Sequence, residues 1–180
     1  MKKIIIFILT IFLLTGCNNK LLNTPTKKVE MFFENYQVLS DNVMDDLKNV
    51  TAEEELFNTE NREKYISLMK KHYQGLTYEI KDEKVDGDTA LVTVEIEVKD
   101  YSKALEEAET YLEDNPEEFE ENGKYNQFLF MDYKIKKLSE VKDTVKYTLD
   151  LTLSKINDVW TLDNISNIDE QKINGVYDYS

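Results

Sequence analysis

Two segments of the 180-residue chain alternate between apolar and polar side chains, and this pattern most narrows what the chain can fold into. The first is "LTYEIKDEKVDGDTALVTVEIEV", residues 76–98; the second is "DTVKYTLDLTLSKINDVWTLDNI", residues 143–165. A strand places successive side chains on opposite faces, so period-two alternation marks a strand with one buried face. In the first segment Ala90, Val92, Val94, Ile96 and Val98 share one face, and Thr93, Glu95 and Glu97 share the other. In the second, Val145, Tyr147, Leu149, Leu151 and Leu153 oppose Lys146, Thr148, Asp150 and Thr152. Asp86-Gly87 and Asn157-Asp158 are turn formers, so each segment predicts a β-hairpin. One apolar and one wet face call for an antiparallel sheet covered on one side.

The cover must come from helices, and the rest of the chain supplies them. Val29, Phe32, Phe33, Tyr36, Leu39, Val43, Leu47 and Val50 recur at spacings of three and four, which predicts one long helix from Pro25 to Val50. Thr24 is its cap and Pro25 its first residue. A second helix is expected from Asn61 to Gln74, ended by Gly75. Between the hairpins, Tyr101 to Val141 returns to helical period. Leu105, Ala108 and Leu112 line one segment; Phe119, Phe128, Met131, Ile135 and Leu138 line another, divided from the first at Asn115-Pro116. Ile168 to Tyr177 reads as a short helix or tail. The class is α+β: helices packed on one face of an antiparallel sheet, with a helical insertion between two hairpins.

The opening residues follow different rules. Lys2 and Lys3 precede an apolar run from Ile4 to Leu14, interrupted only by Thr10. A basic start, a short apolar core and small residues after it compose an export signal. Eleven apolar residues rise only about 16 Å as a helix, against a bilayer core of about 30 Å, so the run is short for a membrane span. Leu14-Thr15-Gly16-Cys17 resembles the lipobox of bacterial lipoproteins. The resemblance implies cleavage between Gly16 and Cys17, a diacylglyceryl thioether with palmitate-like chains on Cys17, and an extracytoplasmic protein held on the cytoplasmic membrane. Residues 1–16 are then the signal peptide, 17–24 the lipidated cysteine and tether, and 25–180 a single domain. Cys17 is the single cysteine, so no disulfide forms within the chain.

Loss of Lys2 and Lys3 leaves 20 basic against 36 acidic residues, a net charge of −16. Such a chain has little with which to neutralise phosphates, which argues against nucleic acid and against an electrostatic grip on anionic lipid.

Three stretches, "FFENYQ", "VDGDTALVTVEI" and "TLSKINDVWTLDNI", in this order of elements, resemble small envelope lipoproteins of Gram-positive bacteria that carry a cone-shaped domain of the nuclear-transport-factor-like, or cystatin-like, superfamily. The resemblance spans roughly residues 25–167 and implies a curved sheet wrapped around the first helix, often around a pocket. The insertion from Tyr101 to Val141 exceeds what the plain cone needs; it would lid the cone mouth or extend the helical layer.

Catalytic signatures are sparse. His72, the single histidine, sits near a helix C-terminus, where positive charge is favoured, and reads as structural. Asp150 falls on the polar face of a strand, and Asp132 on a helix surface. No nucleophile elbow, P-loop or dinucleotide fingerprint occurs, and one histidine does not make the clusters usual in catalytic zinc sites. No catalytic residue, metal ligand or cofactor is expected. Residues 106–121, "EEAETYLEDNPEEFEE", hold nine acidic side chains and no basic one, which reads as a solvated face. Tyr111, Phe119, Tyr125, Phe128, Phe130 and Tyr133 make the same region the candidate interaction surface. The expected function is therefore a lipid-anchored, non-enzymatic binding module, its partner an envelope protein or a small ligand. The alternatives are a pocket enzyme using an acid/base carboxylate or tyrosine, and an accessory or immunity-like envelope protein.

Overall fold

The computed structural model describes residues 22–53 and 55–178, so the expected signal peptide, with Gly16 and Cys17, lies outside the described residues. The elements run α1 Pro25–Gln37, α2 Asp41–Glu53, α3 Thr59–Gly75, β1 Thr77–Asp86, β2 Thr89–Lys99, α4 Ser102–Asp114, a 3-10 turn Pro116–Phe119, β3 Glu120–Glu121, β4 Lys124–Tyr125, α5 Gln127–Glu140, β5 Thr144–Ile156, β6 Val159–Leu162 and α6 Asn167–Ile173. The fold is α+β, as its alternation and helical periods require.

Both hairpins form, and they join into one antiparallel sheet of order β1-β2-β5-β6. The register sets like against like: Ala90, Val92, Val94 and Ile96 face Leu153, Leu151, Leu149 and Tyr147. All eight side chains are buried on the inner face, where Val29 and Phe33 of α1 and Ile173 of α6 close over them. Phe33 stacks on Tyr78 of β1 with ring centroids 5.2 Å apart. A register shift between Ile80 and Asp82 bulges β1, beyond which the strand is exposed; bulges of this kind turn an edge strand out of plane. Gly87 has φ +59° in the first turn, and Asn157 and Asp158 have φ 50° and 62° in the second. Paired positive φ is the signature of the two-residue turn that matches sheet twist.

The helix starts follow their caps. Thr24 Oγ1 accepts from Lys27 N (3.2 Å), Asn58 Oδ1 from Asn61 N (2.8 Å), Asn126 Oδ1 from Phe128 N (2.9 Å) and Ser166 Oγ from Asp169 N (3.1 Å). Each satisfies a donor that the first helical turn leaves unpaired. Just before α1, Asn23 Nδ2 donates to Asp158 O (2.7 Å), and its Oδ1 accepts from Trp160 N (2.9 Å). The described start of the chain is thereby fastened to the last hairpin.

Two expectations are corrected. The long helix from Pro25 to Val50 is two helices, broken where Leu39 takes φ 55°. Ser40 N donates to Asn35 O (2.9 Å) across the break. The apolar stripe hides it, because Leu39 still packs with Met44 and Leu47 in the cluster that joins α2 to α3. Beyond the corner the buried line shifts to Met44 and Leu47, leaving Val50 exposed. The expected helix through Phe119 and Phe128 is also interrupted. After the 3-10 turn, the chain makes a small β3–β4 ribbon around Asn122 and Gly123, both at positive φ, before α5 begins.

Candidate functional site

Val29 and Phe33 of α1 pack across the inner face of the sheet. A groove of about 900 Å³ runs between α3 and the insertion helix α5. Leu68, Tyr101 and Leu138 form its buried floor, with Ile135 and Val141 beside them. Two contacts fix the spacing of the helices. Asn61 Nδ2 donates to Phe128 O (2.8 Å), and Lys64 Nζ bridges Glu60 on its own helix to Asp132 on α5, both at 2.8 Å. Those carboxylates, Asp132 first, raise the Lys64 pKa. On the far side, Lys134 ties α5 to Glu109 of α4 (2.8 Å).

His72 of α3 lies at the inner edge of this groove, only 3% exposed. Its Nε2 lies 2.8 Å from Ile173 O. A carbonyl only accepts, so Nε2 carries the proton and Nδ1 is left as an acceptor. Nδ1 is buried and has no partner among the described residues. Burial, and then the charge of Lys99, lower the His72 pKa against the opposing bond to Ile173. Burial thus favours the neutral ring, and His72 sits as a structural residue between Ile173 and Tyr101. It packs at 5.0 Å from the ring of Tyr101, whose hydroxyl burial pushes up to about 12.

The rim is basic on an acidic protein. Lys71, Lys99 and Lys136 line the groove, and none meets a carboxylate at ion-pair distance among the described residues. Lys99 Nζ instead donates to Lys142 O at 2.6 Å. An apolar floor and three cations without carboxylate partners among the described residues suit an anionic ligand with an apolar body.

The other sequence candidates are dispersed. Asp150 is exposed and accepts from Thr93 Oγ1 (2.6 Å); Asp132 belongs to the Lys64 bridge. Glu95 is a carboxylate with a shifted pKa, and the shift is downward, caused first by its bond to Lys146 on the wet face of the sheet. The acidic run 106–121 spans α4 and the turn after it. Its Glu118 accepts from Tyr111 Oη (2.9 Å) and Glu121 from Asn126 Nδ2 (2.9 Å). No group of three or more metal-ligating side chains occurs among the described residues. The aromatics of the insertion form a second small core. Phe119 and Phe130 are buried, Tyr111 and Tyr133 stack at 4.8 Å, and Tyr125 alone of the six is more than half exposed. Between α1, α2 and α3, burial pushes the Tyr36 hydroxyl up to about 12 and the Tyr73 hydroxyl higher still, so both stay protonated at neutral pH. Tyr73 Oη donates to Asn174 Oδ1 (3.0 Å).

Sequence reasoning missed the groove. The signal lay in "KKHYQG" and "KIKKL", basic clusters in a chain of net charge −14, but nothing local said that the two helices carrying them are neighbours. No helix among the described residues is long and apolar enough to cross a membrane. Residues 1–18 match the family model of the prokaryotic membrane lipoprotein lipid attachment site. No curated protein and no solved structure matches the chain.

Proposed function

We propose that the protein is a non-enzymatic binding module anchored to the extracytoplasmic face of the cytoplasmic membrane of a Gram-positive bacterium. Cleavage after Gly16 leaves Cys17 as the mature N-terminus, and a diacylglyceryl thioether on its sulfur holds the chain on the bilayer. The match of residues 1–18 to the lipid attachment site supports the anchor. Two acyl chains suffice for stable attachment where one does not. Residues 25–180 act as one domain. The packing of α1 across the inner face of the antiparallel sheet supports kinship with the nuclear-transport-factor-like superfamily.

The groove carries the binding reading. Its volume falls within the roughly 300–1,000 Å³ of small-molecule sites. Its ligand is anionic, with an apolar body on Leu68, Tyr101 and Leu138 and charge toward Lys71 and Lys136. The probe is anilinonaphthalenesulfonate, which combines a sulfonate and an aromatic body. Its fluorescence should rise saturably at one site per folded chain. Reversing both charges, Lys71→Glu with Lys136→Glu, should weaken binding about tenfold, from two partly exposed charge interactions of roughly 0.5–1 kcal/mol each. An affinity unchanged by the double reversal overturns the assignment.

A further inference from the structure

The path of the chain also orients the domain on its membrane, an inference that rests on the anchoring reading above. The two hairpin turns lie at one end of the sheet, where Lys155 N donates to Asp88 O (2.8 Å). The described start of the chain is fastened there too, through the bonds of Asn23 to Asp158 and Trp160. Cys17 and Asn23 are six chain steps apart, so the anchor lies within about 21 Å of this end. The other end of β2 is Lys99, which pairs with Thr144 and lines the groove. Strand β2 has 11 residues, so the two ends stand roughly 33 Å apart.

The turn end is also unusually apolar. Leu22, Val85, Ile156 and Val159 are each about half exposed, four of the eleven large apolar side chains exposed among the described residues. Val85 pairs with Ala90 beside the first turn, and Ile156 pairs with Val159 across the second. Leu22 adjoins Asn23. Asp86, Asp88 and Asp158 stand among them, with Lys84 and Lys155 beside them. The flanks differ: on the wet face of the sheet Glu79, Glu95, Glu97 and Asp150 outnumber Lys81 and Lys146, which pair with Glu79 and Glu95, and residues 106–121 carry nine carboxylates and no basic side chain. Laying either flank on an anionic leaflet costs electrostatic energy; the turn end offers apolar surface to the interface instead.

We infer that the domain stands on its hairpin turns, with Leu22, Val85, Ile156 and Val159 against the bilayer and the α3–α5 groove facing away from it. The ligand of the groove then reaches it from the envelope and not from the lipid phase.

The single tryptophan, Trp160, sits at the turn end and serves as the reporter. The lipidated chain, purified from membranes, is reconstituted in phosphatidylglycerol vesicles doped with dansyl phospholipid. Energy transfer is read from Trp160 in the unaltered chain and, in a Trp160→Phe, Ser139→Trp chain, from the groove end. Transfer from Trp160 should be severalfold stronger. Quenching of Trp160 by brominated acyl chains in the unaltered protein gives the same reading without a substitution in the fold. Equal or stronger transfer from position 139, or no quenching of vesicle-bound Trp160, overturns the orientation. A chain that fails to float with the vesicles overturns the anchor itself, and the two failures are thereby told apart.

Discussion

Gly175 holds the groove, the sheet and the C-terminal helix together, and replacing it should be far costlier than its position near the chain end suggests. Its φ is +70°, and a Cβ built there would overlap the carbonyl oxygen of Lys99 and lie 3.1 Å from His72 Cε1. Gly175 O accepts from Tyr101 N (2.7 Å), so the residue touches the last residue of β2, the groove floor and α3 within one turn. Gly175→Ala combines two costs. Left-handed backbone costs an alanine about 1–2 kcal/mol, and forcing a methyl into packed backbone costs about 1–3 kcal/mol. The sum is roughly 3 kcal/mol, which lowers Tm by about 6–12 °C for a domain of this size. Gly123→Ala is the control: its φ is +73°, yet nothing stands within 4 Å of the added methyl, so it incurs the backbone cost alone. Thermal unfolding of both variants in the unlipidated Cys17→Ala chain separates close approach from backbone conformation. Equal shifts for the two would refute the tight seating of Gly175 against Lys99 and His72.

Three further outcomes are expected. His72 is buried with a folded pKa below its unfolded value of about 6.5. The unfolded chain therefore binds the extra proton first as pH falls, and the stability contributed by neutral His72, complete above about pH 6.5, is lost between there and its folded pKa; urea midpoints across pH 5–8 should show a slope that flattens in His72→Gln, and an equal slope in both would remove His72 as its source. Phe119→Ala empties the middle of the insertion core, where Phe119 meets Tyr111, Phe130 and Tyr133, and should cost about 3–5 kcal/mol by urea unfolding; a cost below about 1 kcal/mol would show that the insertion does not pack as a core. Asp158→Gly relieves a non-glycine residue at φ 62° in the second hairpin turn and should raise stability by about 0.5–1 kcal/mol in the same measurement, whereas a loss would contradict the turn geometry.

What the sequence disclosed depended on whether the physics was local. The sheet was legible strand by strand, because burying one face of Ala90, Val92, Val94 and Ile96 fixes their register against Leu153 to Tyr147. The caps at Thr24 and the break at Asn115-Pro116 were legible for the same reason: each acts within four residues. The corner at Leu39 was not, because its apolar side chain satisfies the helical period on both sides of the break. Leucine at φ 55° carries none of the glycine or asparagine that marks such corners. The groove was least legible of all. It depends on α3 and α5 lying side by side, set by Asn61 reaching Phe128 across 67 residues. His72 was read as structural from its place near a helix end, but its burial against Ile173 and Tyr101 is tertiary and was not legible. The lipid attachment site, by contrast, is wholly local, and it is read within residues 1–18.

The account stands first on the anchor at Cys17, and membrane fractionation tests it most directly. Cells expressing the full chain and a Cys17→Ala chain are lysed and separated into membrane and soluble fractions, with the culture supernatant kept. The unaltered protein should sediment with membranes and leave them only in detergent, while Cys17→Ala should appear in the soluble fraction or the medium. Identical membrane retention of the two chains would contradict the lipoprotein assignment, and with it the orientation of the groove.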